Sequence, residues 1–217
     1  VPRNGDILIY NINPGEGDTE LVIENIRTGK KTIVPRATRA KLSEDGSKVV
    51  AVIKPLFEQT RQAKIKKAKK EDMPKDTLAL IDVKSGKVEK YANYKSHATA
   101  DKWSNYLAFE LTPAKEKADK KAPKAEGKDD KKKPAPKKEV NKLLVMNVLT
   151  NKVDTIKNVT SYKFNEDGSW LAYVVEPEKK DSLGKAGLFL YNPANGESKA
   201  VLEGAKGSKF KTPSFSE

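Results

Sequence analysis

Lys41-Leu-Ser-Glu-Asp-Gly-Ser-Lys-Val-Val-Ala-Val-Ile53 and Lys163-Phe-Asn-Glu-Asp-Gly-Ser-Trp-Leu-Ala-Tyr-Val-Val175 are two copies of one pattern. Each reads as a strand, a tight turn and a second strand. Asp45-Gly46 and Asp167-Gly168 supply the positive φ that a hairpin turn demands. A degenerate third copy runs Asp101-Lys-Trp-Ser-Asn-Tyr-Leu-Ala-Phe-Glu-Leu111. Self-similarity at such spacing is the mark of a repeat architecture.

A second unit recurs before, between and after these copies. It is seen at Leu21–Val34, Leu78–Tyr91, Leu143–Ile156 and Gly187–Val201. Each begins with an apolar run ending in Asp or Asn, turns at Gly29, Gly86, Asn151 or Gly196, and continues as a more polar, alternating strand. A near-continuous apolar run marks a strand covered on both faces, and alternation marks one half exposed. The two units together make a four-stranded antiparallel meander of about 40–45 residues, the size of one propeller blade.

The expected fold is therefore all-β: a partial β-propeller of about three and a half blades. Residues 1–36 form a partial blade, 37–92 a blade with an insert at 54–76, and 93–158 a blade with an insert at 112–140. Residues 159–203 form a further blade, with a short insert at 176–185, and 204–217 open the next, truncated one. The inserts all leave between the second and third strands, so they should decorate one rim. A propeller hides its edge strands by closing on itself. The expectation is that this chain belongs to a longer polypeptide, and that uncovered blades would favour self-association.

The chain has 217 residues and a formal net charge of +13. Two segments hold most of that charge. Residues 113–140 carry eleven Lys against six acidic residues, and residues 61–70 carry six basic residues and no acidic one. The first segment is rich in Lys, Ala and Pro and should be a disordered, solvated loop. It has no aromatic residue to stack on bases, which argues against nucleic acid. Residues 55–70 should form a short helix, with Pro55 in its first turn, and Leu56, Phe57 and Ala63 packing on the rim.

A search for chemistry finds little. With no Cys there is no disulfide, thiolate metal site or thiol nucleophile, and one His, His97, leaves no metal set. A Ser-His-Asp triad would have to use His97, and no G-x-S-x-G elbow is present. His97 reads instead as a first-strand or blade-connecting residue. Asp129-Asp130 and Glu44-Asp45 read as solvated or turn pairs, and Asn158-Val-Thr160 as a chance glycosylation triplet at a blade junction. Trp103, Tyr106, Phe109, Trp170 and Tyr173 read as packing between blades. No catalytic, cofactor or metal residue is assigned. No apolar run approaches the 18 residues of a membrane span, and Val1 starts the chain without a basic-then-apolar leader.

Ser43-Glu-Asp-Gly-Ser47, Asn165-Glu-Asp-Gly-Ser-Trp-Leu-Ala-Tyr173 and Gly187-Leu-Phe-Leu-Tyr-Asn-Pro-Ala-Asn-Gly196 carry a resemblance. They are similar to the repeats of Tol-type propellers and of the N-terminal propellers of prolyl oligopeptidase and dipeptidyl peptidase IV-like serine peptidases. The lysine-rich inserts most resemble exported, Bacteroidetes-type members. The resemblance implies a periplasmic or exported location. It also implies a partner α/β-hydrolase domain carrying Ser, Asp and His, with a propeller that gates or binds peptide substrate. None of those catalytic positions has a match here, and no motif transfers a substrate-binding role to Glu110 or Glu176. A Tol-type scaffold for protein–protein contacts, with no enzyme attached, is the alternative.

Overall fold

A computed structural model describes residues 5–103, 105–112, 141–176, 186–204, 208–211 and 213–216. These residues form four antiparallel sheets, each a meander of consecutive strands. The first holds β1 (Ile7–Ile12), β2 (Glu20–Asn25) and β3 (Lys31–Pro35). The second holds β4 (Ala37–Leu42), β5 (Lys48–Ile53), β6 (Thr77–Asp82) and β7 (Val88–Tyr91). The third holds β8 (Tyr94–Ala98), β9 (Tyr106–Leu111), β10 (Lys142–Asn147) and β11 (Val153–Lys157). The fourth holds β12 (Val159–Phe164), β13 (Leu171–Val175), β14 (Gly187–Asn192) and β15 (Glu197–Glu203). One helix, α1 (Phe57–Ile65), stands between β5 and β6. The architecture is a partial β-propeller.

One turn is built four times. Asn25 Oδ1 accepts from the Arg27 and Thr28 amides, Asp82 Oδ1 from Ser85, Asn147 Oδ1 from Leu149 and Thr150, and Asn192 Oδ1 from Ala194. The amide of Gly29, Gly86, Asn151 or Gly196 then returns to the carbonyl of that same Asn or Asp, at 2.8–2.9 Å. These four residues have φ between 60° and 79°, a region open to Gly and tolerated by Asn. The Asp or Asn that closes each apolar run is thus the residue that starts the turn, by bonding its own backbone two to three residues on.

Packing between sheets follows from period-two alternation. On β5, Val49, Ala51 and Ile53 join Leu21, Ile23 and Val34 of the first sheet. Val50, between them in sequence, joins Trp103, Leu107, Phe109 and Met146 of the third. Leu143 and Val145 of the third sheet meet Leu171, Tyr173 and Tyr191 of the fourth. A strand with a sheet on each side must be apolar at every position, and β5 is buried at all but its first residue. The outer strands β11 and β15 have no such cover; β15 is exposed throughout.

The chain passes from one sheet to the next through a residue in the left-handed region. These are Arg36, Asn93 and Asn158, at φ 64°, 60° and 61°. Each carbonyl accepts the amide just past the second strand of its sheet: Lys54 to Arg36 at 2.9 Å, Thr112 to Asn93 at 2.7 Å, and Glu176 to Asn158 at 3.1 Å. The junction and the start of each insert are therefore clasped together. Hairpin turns are also tied across sheets, with the Glu44 amide bonding the Trp103 carbonyl at 2.6 Å and Lys102 bonding Glu166 at 2.8 Å.

Several expectations need correction or fall outside this description. Helix α1 buries no residue, and Leu56 and Phe57 are 41% and 46% exposed, so it is not packed on the rim. Its tether is instead the Asp18 carboxylate, which accepts the Phe57 amide at 2.8 Å and so places a negative charge at the positive end of the helix dipole. The helix stops at Ile65, before the lysines at 66, 67, 69 and 70, where like charges accumulate and Lys67 turns to φ 51°. Trp170 is 37% exposed and packs less than the other aromatic residues on the strands. Residues 113–140 and 177–185, where a disordered loop and part of the third insert were expected, lie outside the described residues. Residues 208–211 and 213–216 form no strand.

The left-handed junctions make a direct prediction. Replacing Asn93 with β-branched Val should lower unfolding stability by about 1–2 kcal/mol, whereas Asn93→Gly should cost well under that. Denaturant titration followed by tryptophan fluorescence reads both; equal losses would show that φ at this junction is not the constraint.

Candidate functional site

The first strand of each complete sheet lies beside the first strand of the next. Strand β12 packs against β8, and the Ser96 and Tyr162 hydroxyls bond across them at 2.8 Å. Lys41 Nζ, on β4, donates to the Ala100 carbonyl just beyond β8 at 2.6 Å. Asn11 Nδ2, on β1, donates to the Ala37 carbonyl of β4 at 2.8 Å. Side-chain hydrogen bonds thus join each sheet to the next.

Each of these first strands is bulged. The register slips between Thr38 and Lys41 on β4, Tyr94 and Ser96 on β8, and Val159 and Ser161 on β12. The residues inside the slips include Arg39, Lys95 and Thr160, and all three are exposed. A bulge bends the strand and re-aims one side chain out of the ladder. Arg39 does this at φ 54°, an uncommon setting for a long side chain.

The strands read Ala-Thr-Arg-Ala-Lys-Leu, Tyr-Lys-Ser-His-Ala and Val-Thr-Ser-Tyr-Lys-Phe. They carry Arg39, Lys41, Lys95 and Lys163, and no carboxylate. Glu110, on the adjoining β9, is 4% exposed and pairs with Lys95. His97 Nδ1 pairs with the Tyr94 hydroxyl at 2.9 Å. Burial pushes the His97 pKa below its ordinary value, and the nearby Arg39 and Lys41 charges push it the same way. Burial lowers the Lys41 pKa, with Asp101 opposing, and raises those of the Tyr94 and Tyr162 hydroxyls. At neutral pH this face therefore holds a neutral imidazole, two protonated phenols and a positive field.

A groove of about 440 Å³ opens between the first two sheets at the turn end. It is lined by Lys30 and Lys84 but also by Asp6 and Asp45, so its charges offset one another.

The residues singled out by sequence divide clearly. His97 is on β8, a first strand, bonded to a tyrosine rather than to a serine or a carboxylate. Glu110 reaches the same face, while Glu176 is exposed beside the Asn158 junction. The Asn158 backbone is used in the junction, and Thr160 Oγ1 donates to the Val174 carbonyl at 3.4 Å. Asp45 is a turn residue, accepting from Ser43 and Ser47. Asp129-Asp130 lie outside the described residues, among which no cluster of His, Cys, Asp or Glu is suited to a metal ion. Sequence reading missed Arg39, Lys41 and Lys95 as a group. Each strand by itself shows only an unremarkable lysine or arginine, and the signal is their recurrence on strands that turn out to be neighbours.

No protein-family model matches the chain, and no curated protein does. Among solved structures it is similar to the β-propeller domain of the Trilobed protease from Pyrococcus furiosus, with 12% identity and a TM-score of 0.48, over 92% of this chain and 55% of that one. It is also similar to uncomplexed Pyrococcus horikoshii acylaminoacyl peptidase, with 15% identity and a TM-score of 0.44, over 91% of this chain and 30% of that one. A eukaryotic initiation factor shares 10% identity at a TM-score of 0.46, over 93% of this chain and 41% of that one. The chain spans about half the length of the first of these and under a third of the second.

Two predictions follow from the charges on this face. The lone imidazole should titrate below its ordinary value of about 6.5, and Arg39→Asn should raise its pKa; one histidine ring signal in a proton NMR titration reports both. A folded-state pKa below the unfolded one means that the unfolded chain binds more protons. Stability should therefore be full above about pH 6.5 and decline as pH falls through that value, and His97→Gln should flatten the decline. Separately, Lys95→Met leaves the buried Glu110 carboxylate without its cation and should cost about 1–3 kcal/mol. The double variant Lys95→Met/Glu110→Met should recover part of that loss in denaturant titrations.

Proposed function

We propose that this chain is a non-catalytic propeller segment that binds or gates peptide substrate for a separate α/β-hydrolase domain of a serine peptidase, acting in the periplasm or outside the cell. The observation that carries the reading is the continuous polar face along the first strands. It offers bulged, exposed side chains and hydroxyls where a peptide can lie across several sheets. The Ser43–Ser47 and Asn165–Tyr173 repeats support the same family of propellers. The chemistry of the face fits binding rather than bond cleavage, because His97 bonds Tyr94 and, among the described residues, meets neither a nucleophile nor a carboxylate to orient it. Among the described residues no helix is long and apolar enough to cross a membrane.

A second reading has its own observation. Leu8, Ile12 and Ile33 of the first sheet and Val201 and Leu202 of the fourth are about half exposed. Apolar side chains on the two end sheets suit a scaffold that meets other proteins, as a Tol-type propeller does.

The test is to titrate the chain with labelled proline-containing octapeptides and to follow their integrity by mass spectrometry. Saturable binding without cleavage is the expected result. Cleavage that disappears in His97→Gln would overturn the non-catalytic reading. Failure of every peptide to bind would leave the scaffold.

A further inference from the structure

We propose that α1 and the lysine-rich turn behind it form a docking surface for an anionic lipid bilayer. The inference is separate from the peptide-binding reading, which concerns the first strands.

Residues 61–70 carry Arg61, Lys64, Lys66, Lys67, Lys69 and Lys70 and no acid. All six are exposed. Among the described residues only Arg61 has a carboxylate partner, Glu58 at 4.0 Å, and both side chains are more than half exposed. A surface pair of that kind neutralises little. Single exposed lysines such as Lys90, Lys142 and Lys199 are scattered over the strands. What sets this segment apart is the density of its charge and the apolar side chains beside it.

The backbone holds these charges in place. The helix closes through Lys67 at φ 51°, with the Lys67 amide on the Lys64 carbonyl and the Ala68 amide on the Ala63 carbonyl, both at 2.9 Å. Glycine is the usual residue at such a position, so a lysine keeps a charge there at the expense of backbone strain. The Asp72 and Met73 amides then return to the Lys69 carbonyl at 2.8 and 3.1 Å. The run is thus a capped helix end followed by a turn.

Leu56, Phe57 and Ile65 are 41%, 46% and 63% exposed. Helix positions i, i+4, i+7 and i+8 share one side, so Phe57, Arg61, Lys64 and Ile65 form a mixed stripe. The helix buries no residue, and the Asp18 carboxylate tethers it through the Phe57 amide at its first turn. Four to eight cations on or beside a helix that also shows apolar side chains suit an anionic membrane surface. Headgroup phosphates take the ammonium groups, while Phe57 and Ile65 enter the boundary between headgroups and acyl chains. The helix would lie on the bilayer and not cross it. Single-stranded nucleic acid would need several rings on which to stack bases, and residues 55–76 hold one, Phe57.

The experiment is co-sedimentation of the full chain with vesicles of phosphatidylcholine alone and of equal parts phosphatidylcholine and phosphatidylglycerol, at low and high salt. Anisotropy with a labelled single-stranded DNA oligonucleotide runs beside it. The expected result is binding to the anionic vesicles only, weakening as salt rises. Lys66→Gln/Lys69→Gln/Lys70→Gln should weaken it roughly fivefold per lysine removed, and Phe57→Gln/Ile65→Gln about tenfold. The control Lys84→Gln/Lys152→Gln/Lys199→Gln removes the same charge from exposed positions outside this segment and should change binding by less than about twofold. Ile65→Trp reads the contact itself: its emission should move to the blue on anionic vesicles, beyond any change in the parent, whose Trp103 and Trp170 set the baseline. Equal loss in the control would show that bulk charge is responsible and overturn the proposal. So would full binding by Phe57→Gln/Ile65→Gln, or an unshifted emission at position 65. DNA binding that is lost in the lysine variant, with no binding to vesicles, would make the surface a nucleic-acid site and overturn it too. None of these variants alters a first strand, so failure here leaves the peptide-binding reading standing.

Discussion

A β-strand buried on both faces cannot exist alone, and this molecule is organised by that constraint. Val49 and Val50 are neighbours in sequence, point to opposite faces of β5, and are both fully buried. One needs the first sheet and the other needs the third. The same holds along β6, β9 and β10, so each inner sheet is stable only between its neighbours. Hydrogen bonding completes each meander from within, and apolar side chains alone fill most of the space between meanders. The outermost strands have no such requirement, and β11 and β15 are accordingly half or wholly exposed.

Stacking sheets in this way has a consequence for chemistry. It gathers the first strands, β4, β8 and β12, which are far apart in sequence, onto one surface. Their bulges turn Arg39, Lys95 and Thr160 outward at that surface. The packing therefore creates a positive field that no single blade possesses. The lysine-rich inserts make the chain basic, but a chain-wide charge steers partners without selecting them. Arg39 and Lys41, fixed on β4, act instead on His97 of the neighbouring sheet.

Much of the fold could be read from turn chemistry. Asp-Gly in the hairpins, and Asn or Asp followed by Gly or Asn at the end of each apolar run, are residues that a positive φ requires. Their recurrence gave the meander. Other left-handed positions were silent, because Arg36 and Arg39 are residues with no preference for that conformation; their φ is imposed by the junction and the bulge. The bulges depend on register across strands, which periodicity does not encode. Residues 55–70 have helical propensity throughout, yet the helix ends at Ile65, and Leu56 and Phe57 fall at its mouth rather than on a packed face. Of the candidate site, His97 and Glu110 were visible as residues, but their convergence with Arg39, Lys41 and Tyr162 belongs to the tertiary arrangement.

The central claim, that the inner strands are sandwiched between sheets, is tested most directly at two adjacent positions. Val49→Ala and Val50→Ala remove the same atoms from opposite faces of β5. Measured by denaturant titration, each should lose roughly 1–3 kcal/mol, while Val201→Ala on β15 should stay within about 0.5 kcal/mol of the parent. A large loss at one valine and none at the other would mean that β5 has one face in water, and would contradict the stacked-blade arrangement.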